Sequence, residues 1–91
     1  MGSWQGGLQA AIERKKRYPR NAQRAGKTGT ARVAFTVQAN GAINNVRISS
    51  SSGNSDLDQA AVQAVQAVGS YKAPPSGQAV AITVPINFHL R

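Results

Sequence analysis

Apolar residues occupy every second position through the last twelve residues of the chain. They are Val80, Ile82, Val84, Ile86, Phe88 and Leu90. Because successive side chains of a strand point to opposite faces of a sheet, this spacing predicts a strand with one buried face, from about Ala79 to Leu90. Pro85 lies in the middle of this strand and has no N–H to donate to a sheet ladder. The proline therefore favours a position at the edge of a sheet.

Two further strands are predicted before residue 51. The first runs from Thr30 to Val37, and its buried face consists of Ala31, Val33, Phe35 and Val37. The dipeptide Asn40-Gly41 is a strong hairpin signal, and the return strand runs from Ala42 to Ser50. Val46 and Ile48 share a parity that Ile43 does not, so we expect a β-bulge near Asn44 or Asn45.

Two helices are predicted on either side of this hairpin. The first extends from about Gln5 to Lys16 and is stopped by Pro19, and the polar stretch from Arg20 to Gly29 is interpreted as a connection. The second helix begins with Ser55 as its cap, carries Asp56 and Asp58 in its first turn, and ends at Gly69. Its apolar stripe consists of Leu57, Ala61, Ala64, Val65 and Val68.

The order of these elements predicts the fold. Ninety-one residues make one domain. We expect an α+β fold: a single αββαβ domain whose three-stranded antiparallel sheet, in the order 2-1-3, is covered by two helices. Met1, Gly2 and Ser3 look like residues left by an expression vector, so the domain is placed at residues 4–91 and is expected to be part of a longer protein.

In the order 2-1-3 the last strand is an edge, and Pro85 then has a place on its outer side. Backbone groups of alternate residues point to opposite sides of a strand, so the outward set would be Ala81, Thr83, Pro85, Asn87 and His89. The alternative is a bulge at Pro85 within the ladder between the first and third strands. An exposed edge also favours pairing with a second copy of the chain, as a homodimer.

The charge of the chain is strongly positive and unevenly distributed. The formal net charge is +8. Seven of the eleven basic residues form a basic cluster, defined as Arg14, Lys15, Lys16, Arg17, Arg20, Arg24 and Lys27. Such a cluster favours an acidic partner, which could be a nucleic acid or an anionic cell-wall polymer. The alternative is that the cluster is a solvated segment without a partner.

The residues needed for most enzymatic chemistry are scarce. The acidic residues are Glu13, Asp56 and Asp58, there is one histidine, His89, and there is no cysteine. These residues do not suggest a carboxylate pair, a metal site or a cofactor-binding motif. We therefore expect a protein that is not an enzyme and that uses no cofactor.

The order and spacing of several short motifs resemble the C-terminal domain of TonB-family energy transducers. The motifs begin with Tyr18-Pro19, Val33-x-Phe35-x-Val37 and Asn40-Gly41. They continue with the stretch from Val46 to Gly53, Leu57-Asp58-x-Ala60-Ala61, and the stretch from Val84 to Leu90. The resemblance covers nearly the whole chain from Trp4 onward. One departure is Lys15-Lys16-Arg17, where some members are rich in glutamine.

The resemblance implies a function in active uptake across the outer membrane. It implies a periplasmic domain of an inner-membrane-anchored protein that is driven by a proton-powered membrane complex. Such a domain captures the TonB box, a short segment of an outer-membrane transporter, as a strand added beside the last strand. By position, the residues implied in holding it are Tyr18, Pro19 and the strand from Ala79 to Leu90.

Overall fold

Three helices and three strands follow one another in the computed structural model, which describes residues 4–89. They are α1 (Trp4–Lys15), α2 (Arg20–Arg24), β1 (Gly29–Val37), β2 (Ile43–Ser50), α3 (Ser55–Val68) and β3 (Val80–Phe88). The strands form one antiparallel sheet in the order β2-β1-β3, as the sequence predicted. The predictions for Met1–Ser3 and for Leu90 at the end of the last strand lie outside the described residues.

The short helix α2 was missed, because Arg20–Gly29 was interpreted as a connection throughout. Pro19 precedes the helix in an extended conformation, and its carbonyl oxygen accepts from the backbone N–H of Gln23 at 2.9 Å. The helix is five residues long and buries only Ala22. One apolar residue in five gives no helical periodicity, so the pattern of the sequence could not predict it.

The cap of the helix α3 was assigned to the wrong residue. The side chain of Asn54, not that of Ser55, accepts from the backbone N–H groups of Asp56 and Leu57, at 2.9 and 3.1 Å. Ser55 is instead the first residue of the helix. Asparagine and serine are equally good caps, and both stand at the start of this helix, so composition alone did not separate them.

The core lies between one face of the sheet and the helices α1 and α3. The sheet contributes the alternating residues of β1 and β3 that the sequence predicted, and α1 contributes Leu8 and Ile12. From α3 come Leu57, Ala60, Ala61, Ala64 and Val65, while Val68 is half-buried. Because α1 and α3 both supply core residues to this one face, the predicted apolar stripes fit a two-layer domain.

The predicted β-bulge is present in β2. The register between β1 and β2 shifts between Ala34 and Thr36, and Asn45 opposite this shift has a positive φ of 56°. The shift lets Ile48 lie opposite Val33 and Ile43 lie opposite Val37. The extra residue therefore returns the apolar residues of β2 to the core face, which was the reason to expect it.

Asp58 fastens the loop between β2 and α3, a role that its place in the first helical turn did not suggest. Its carboxylate accepts from the Ser52 backbone N–H at 2.8 Å and from the Ser52 hydroxyl at 2.7 Å, and also from the Ser51 hydroxyl. Partial burial raises the pKa of the Asp58 carboxyl, but the hydrogen bonds from Ser51 and Ser52 together lower it more. The pKa of Asp58 therefore lies below its ordinary value of 3.8.

A lowered pKa makes the stability contributed by Asp58 depend on acid. The contribution is complete above the unfolded-state pKa and is lost as the pH falls through the lower, folded-state value. Between about pH 7 and about pH 3, Asp58→Asn is therefore expected to lose less stability than the unchanged chain. The control is Asp56→Asn, which removes a neighbouring charge but none of the bonds to Ser51 and Ser52. In thermal melts it should lose as much stability in acid as the unchanged chain. Equal acid sensitivity of all three chains would contradict this role.

The exposed edge of strand β3 as a candidate peptide-binding site

The strand β3 is an edge of the sheet within the described residues. It pairs with β1 along its whole length without a shift of register: Gly29 faces Phe88 at one end and Val37 faces Val80 at the other. Pro85 lies opposite Arg32. The alternative of a bulge at Pro85 is therefore wrong. On its other side, β3 has no strand partner among residues 4–89.

Two hydrogen bonds show which backbone groups of β3 face away from β1. The carbonyl oxygen of Pro85 accepts from the side-chain amide of Gln9 at 3.3 Å, and that of Asn87 accepts from Lys16 Nζ at 2.6 Å. Neither donor belongs to β1, the strand on the inner side, so we assign these carbonyl groups to the outer side of β3. Because the direction alternates, Ala81 and Thr83 also present their backbone outward, in agreement with the predicted set.

The residues whose backbone faces outward carry their side chains on the face of the sheet that the helices do not cover, except for His89, which follows the end of β3. Ala81, Thr83 and Asn87 are exposed, and the Asn87 side-chain oxygen accepts from the Thr30 hydroxyl at 2.6 Å. His89 follows the end of β3 and is exposed. The geometry therefore offers a guest strand a row of backbone groups, while the role of these residues in binding stays a prediction.

Tyr18 and Pro19 lie at the Phe88 end of β3. The Tyr18 ring packs edge-on against the Phe88 ring, with centroids 5.5 Å apart and planes at 87°. The ring contact places the corner between α1 and α2 against the end of β3. The Tyr18 hydroxyl also donates to the carbonyl oxygen of Lys27, in the turn between α2 and β1. Residues far apart in the sequence are thus brought together at one end of the edge, while the role of Tyr18 and Pro19 in holding a guest stays a prediction.

Lys16 belongs to this edge, although no pattern in the sequence predicted it. Its ammonium group lies 2.8 Å from the Glu13 carboxylate and 5.5 Å from the centroid of the Phe88 ring, in addition to its bond to the Asn87 carbonyl. The Lys16 side chain is consequently only 22% exposed. Gln9 was missed as well, because a contact between a helix side chain and a distant strand leaves no local pattern.

The basic cluster is divided by the fold. Arg14, Lys15, Lys16 and Arg17 line a groove of about 640 Å³, whose other wall is α3. The wall on α3 consists of Ala60, Gln63, Ala64 and Ala67. Arg20, Arg24 and Lys27 are exposed but are not part of this groove. The groove could attract an anion, since no acidic residue lines it.

Two other kinds of site were sought in the described part of the chain. Within residues 4–89, none of the helices has the length and hydropathy of a membrane span. The same residues hold no group of three or more histidine, cysteine or acidic side chains placed to share a metal ion.

The sequence matches a known protein family over most of its length. Residues 14–90 match the family described as the C-terminal domain of the Gram-negative bacterial TonB protein. Protein TonB of Pasteurella multocida is 34% identical over 90 residues, which are 99% of this chain and 35% of that protein. The chain thus spans about a third of the length of that relative.

Solved structures share the fold. The solution structure of the C-terminal domain of Helicobacter pylori TonB has 30% identity and a TM-score of 0.87, covering 97% of this chain and 81% of that one. TolAIII, solved bound to a peptide from the N-terminus of TolB, has 24% identity and a TM-score of 0.69, covering 94% of this chain and 74% of that one. The last likeness concerns the fold alone. On the match of residues 14–90, together with these relatives, the chain belongs to the family of TonB C-terminal domains.

Proposed function

We propose that this domain captures the TonB box of an outer-membrane transporter by adding it as a strand to the edge of β3. The domain would belong to a TonB-like energy transducer, anchored in the inner membrane and exposed to the periplasm. The proton motive force of an inner-membrane complex would reach the transporter through this contact. The domain would act by binding and pulling, and not by catalysing a reaction.

The observation that carries the proposal is the outward row of backbone groups on β3. Its orientation rests on the bonds at Pro85 and Asn87 and on the unbroken register with β1. An exposed strand edge is the surface that extended peptides use in β-augmentation, where main-chain hydrogen bonds supply affinity. Membership of the TonB family supports the choice of the guest.

The size of the guest sets the strength expected of the contact. A segment of about five to seven residues buries less than a standard protein interface, so we expect roughly micromolar or weaker affinity for the peptide alone. Titration of the isotope-labelled domain with a TonB-box peptide should shift the amides of β3 and of the Tyr18 region most. Shifts confined to the basic cluster would contradict the proposal.

The groove lined by the basic cluster supports a second candidate function, the binding of an anionic polymer. Its four basic side chains and the net charge of +8 favour any polyanion at low salt. Binding to a DNA duplex of arbitrary sequence should then weaken steeply as the salt concentration rises. Tight binding that persists at physiological salt would place this function before peptide capture.

Replacement of Pro85 tests the edge directly. Because the Pro85 nitrogen faces outward, Pro85→Val adds an N–H that can bond a guest without touching the ladder to β1. The free energy of unfolding should change by less than about 1 kcal/mol, and peptide affinity should hold or rise by up to about 1.5 kcal/mol. Self-association should also rise, because an outward proline hinders pairing between edges.

The control for this change is Thr83→Val, which alters an exposed side chain of the same strand and keeps its N–H. Thermal melts and sedimentation velocity measure both variants. Marked destabilisation of Pro85→Val together with unchanged self-association would show that the outward assignment is wrong.

A further inference from the structure

The edge of β3 is divided into two unequal halves. In the half formed by Ala81 and Thr83, no side chain of residues 4–89 bonds the outward backbone groups. In the half formed by Pro85 and Asn87, both outward carbonyl oxygens already accept from Gln9 and Lys16. Pro85 also lacks an N–H. A guest strand can therefore bond the free backbone groups of Ala81 and Thr83 directly, whereas the carbonyl groups of Pro85 and Asn87 already have partners. We call these the open half and the occupied half.

The bond from Lys16 is the stronger of the two. It is short, at 2.6 Å, and its donor is charged, so it is stronger than a bond between neutral groups. Glu13 and the Phe88 ring hold the ammonium group from two other sides. The Gln9 bond, at 3.3 Å, is long for an N–H to oxygen bond. A guest that replaces Lys16 at Asn87 must disturb this whole arrangement.

From these contacts we propose that Lys16, assisted by Gln9, determines the length of strand that the edge accepts. This inference rests on the proposed function. The guest pairs first with Ala81 and Thr83, and its extension over Pro85 and Asn87 requires release of the two side chains. The occupied half therefore adds little to the affinity for a longer guest. The same contacts hinder pairing of this half with a second copy of the chain.

A matched pair of substitutions separates this role from a general effect of charge. Lys16→Met keeps an unbranched side chain to pack on Phe88 but removes the donor. Lys15→Met removes the same charge from an exposed neighbour that makes no bond to β3. Synthetic TonB-box peptides of about five to seven residues, shortened from each end in turn, serve as the probes.

Isothermal titration of each chain with each peptide gives the test. Lys16→Met should bind the longest peptide about three- to tenfold more tightly than the unchanged chain, which is the range of one net hydrogen bond. It should bind the shortest peptide equally well, and Lys15→Met should match the unchanged chain throughout. Unchanged or weaker binding of the longest peptide by Lys16→Met would overturn the inference.

A second measurement follows the Lys16 contact itself and does not rely on peptide affinities. In the unchanged domain, the ammonium nitrogen of Lys16 should show a scalar coupling across its hydrogen bond to the Asn87 carbonyl carbon, and the longest peptide should abolish it. Persistence of the coupling in the saturated complex would also overturn the inference. If no peptide binds any of the chains, the proposed function is wrong, and a coupling in the free domain would still show the Lys16 contact.

Discussion

Gly41→Ala should destabilise the domain by about 2–5 kcal/mol, since it combines backbone strain with overpacking. Gly41 has a φ of 94°, and a Cβ atom there would lie 2.0 Å from the carbonyl oxygen of Tyr71. This oxygen belongs to the backbone, so the clash cannot be relieved by rotation of a side chain. A 91-residue domain has a total stability of about 5–14 kcal/mol, so the loss is a large part of it.

The position of Gly41 explains why no local adjustment can absorb this change. Its carbonyl oxygen accepts from the Tyr71 N–H at 2.9 Å, and Ile43 donates to the Gly69 carbonyl at 3.0 Å. These bonds attach the loop between β1 and β2 to the segment that follows α3. A displacement at Gly41 therefore disturbs two parts of the chain at once.

Gly26→Ala is the matched control for this prediction. Gly26 also has a positive φ, of 68°, but a Cβ atom there would have no neighbour within 4 Å. It should cost only the strain of the left-handed conformation, about 1–2 kcal/mol. Urea unfolding measures both variants. Equal losses would show that contact with Tyr71 contributes nothing at Gly41.

Thr83→Pro should weaken peptide binding at least tenfold while the domain stays folded. The Thr83 nitrogen faces outward, so the new ring projects toward the guest and removes one donor from the open half of the edge. A guest carbonyl left unsatisfied in the interface costs about 1–3 kcal/mol, and the projecting ring also keeps the guest strand from approaching closely. The ladder to β1 keeps its bonds, because proline is tolerated on an edge strand.

Two controls make this result interpretable. Thr83→Val changes the side chain and keeps the backbone donor, so its peptide affinity should match that of the unchanged chain. A thermal melt of Thr83→Pro establishes that the domain is folded when its affinity is measured by titration. Undiminished affinity of folded Thr83→Pro would exclude pairing of the guest at this half of the edge.

The alternating strands were predictable because burial on one face leaves a period of two in the sequence. The bulge at Asn45 followed from the same rule, since Ile43 could join the core face only through an extra residue. The outward position of Pro85 followed from its missing N–H. In each case one local property of the residue decides its place.

The contacts that divide the edge of β3 were not predictable in this way. Lys16 was grouped with its charged neighbours, although the fold turns it toward Asn87 and Phe88. Gln9 lies 76 positions before its partner Pro85. Such contacts depend on how α1 is placed beside the sheet, and a single sequence carries no periodic signal for the direction of one polar side chain.

The central claim, that a guest strand pairs with the edge of β3, is tested most directly by hydrogen exchange of single amides with and without a TonB-box peptide. The outward amides of Ala81 and Thr83 should exchange rapidly in the free domain and become protected in the complex. The inward amides of Ile82 and Val84 should be protected in both. Protection of Ala81 and Thr83 that is unchanged by saturating peptide would contradict strand addition.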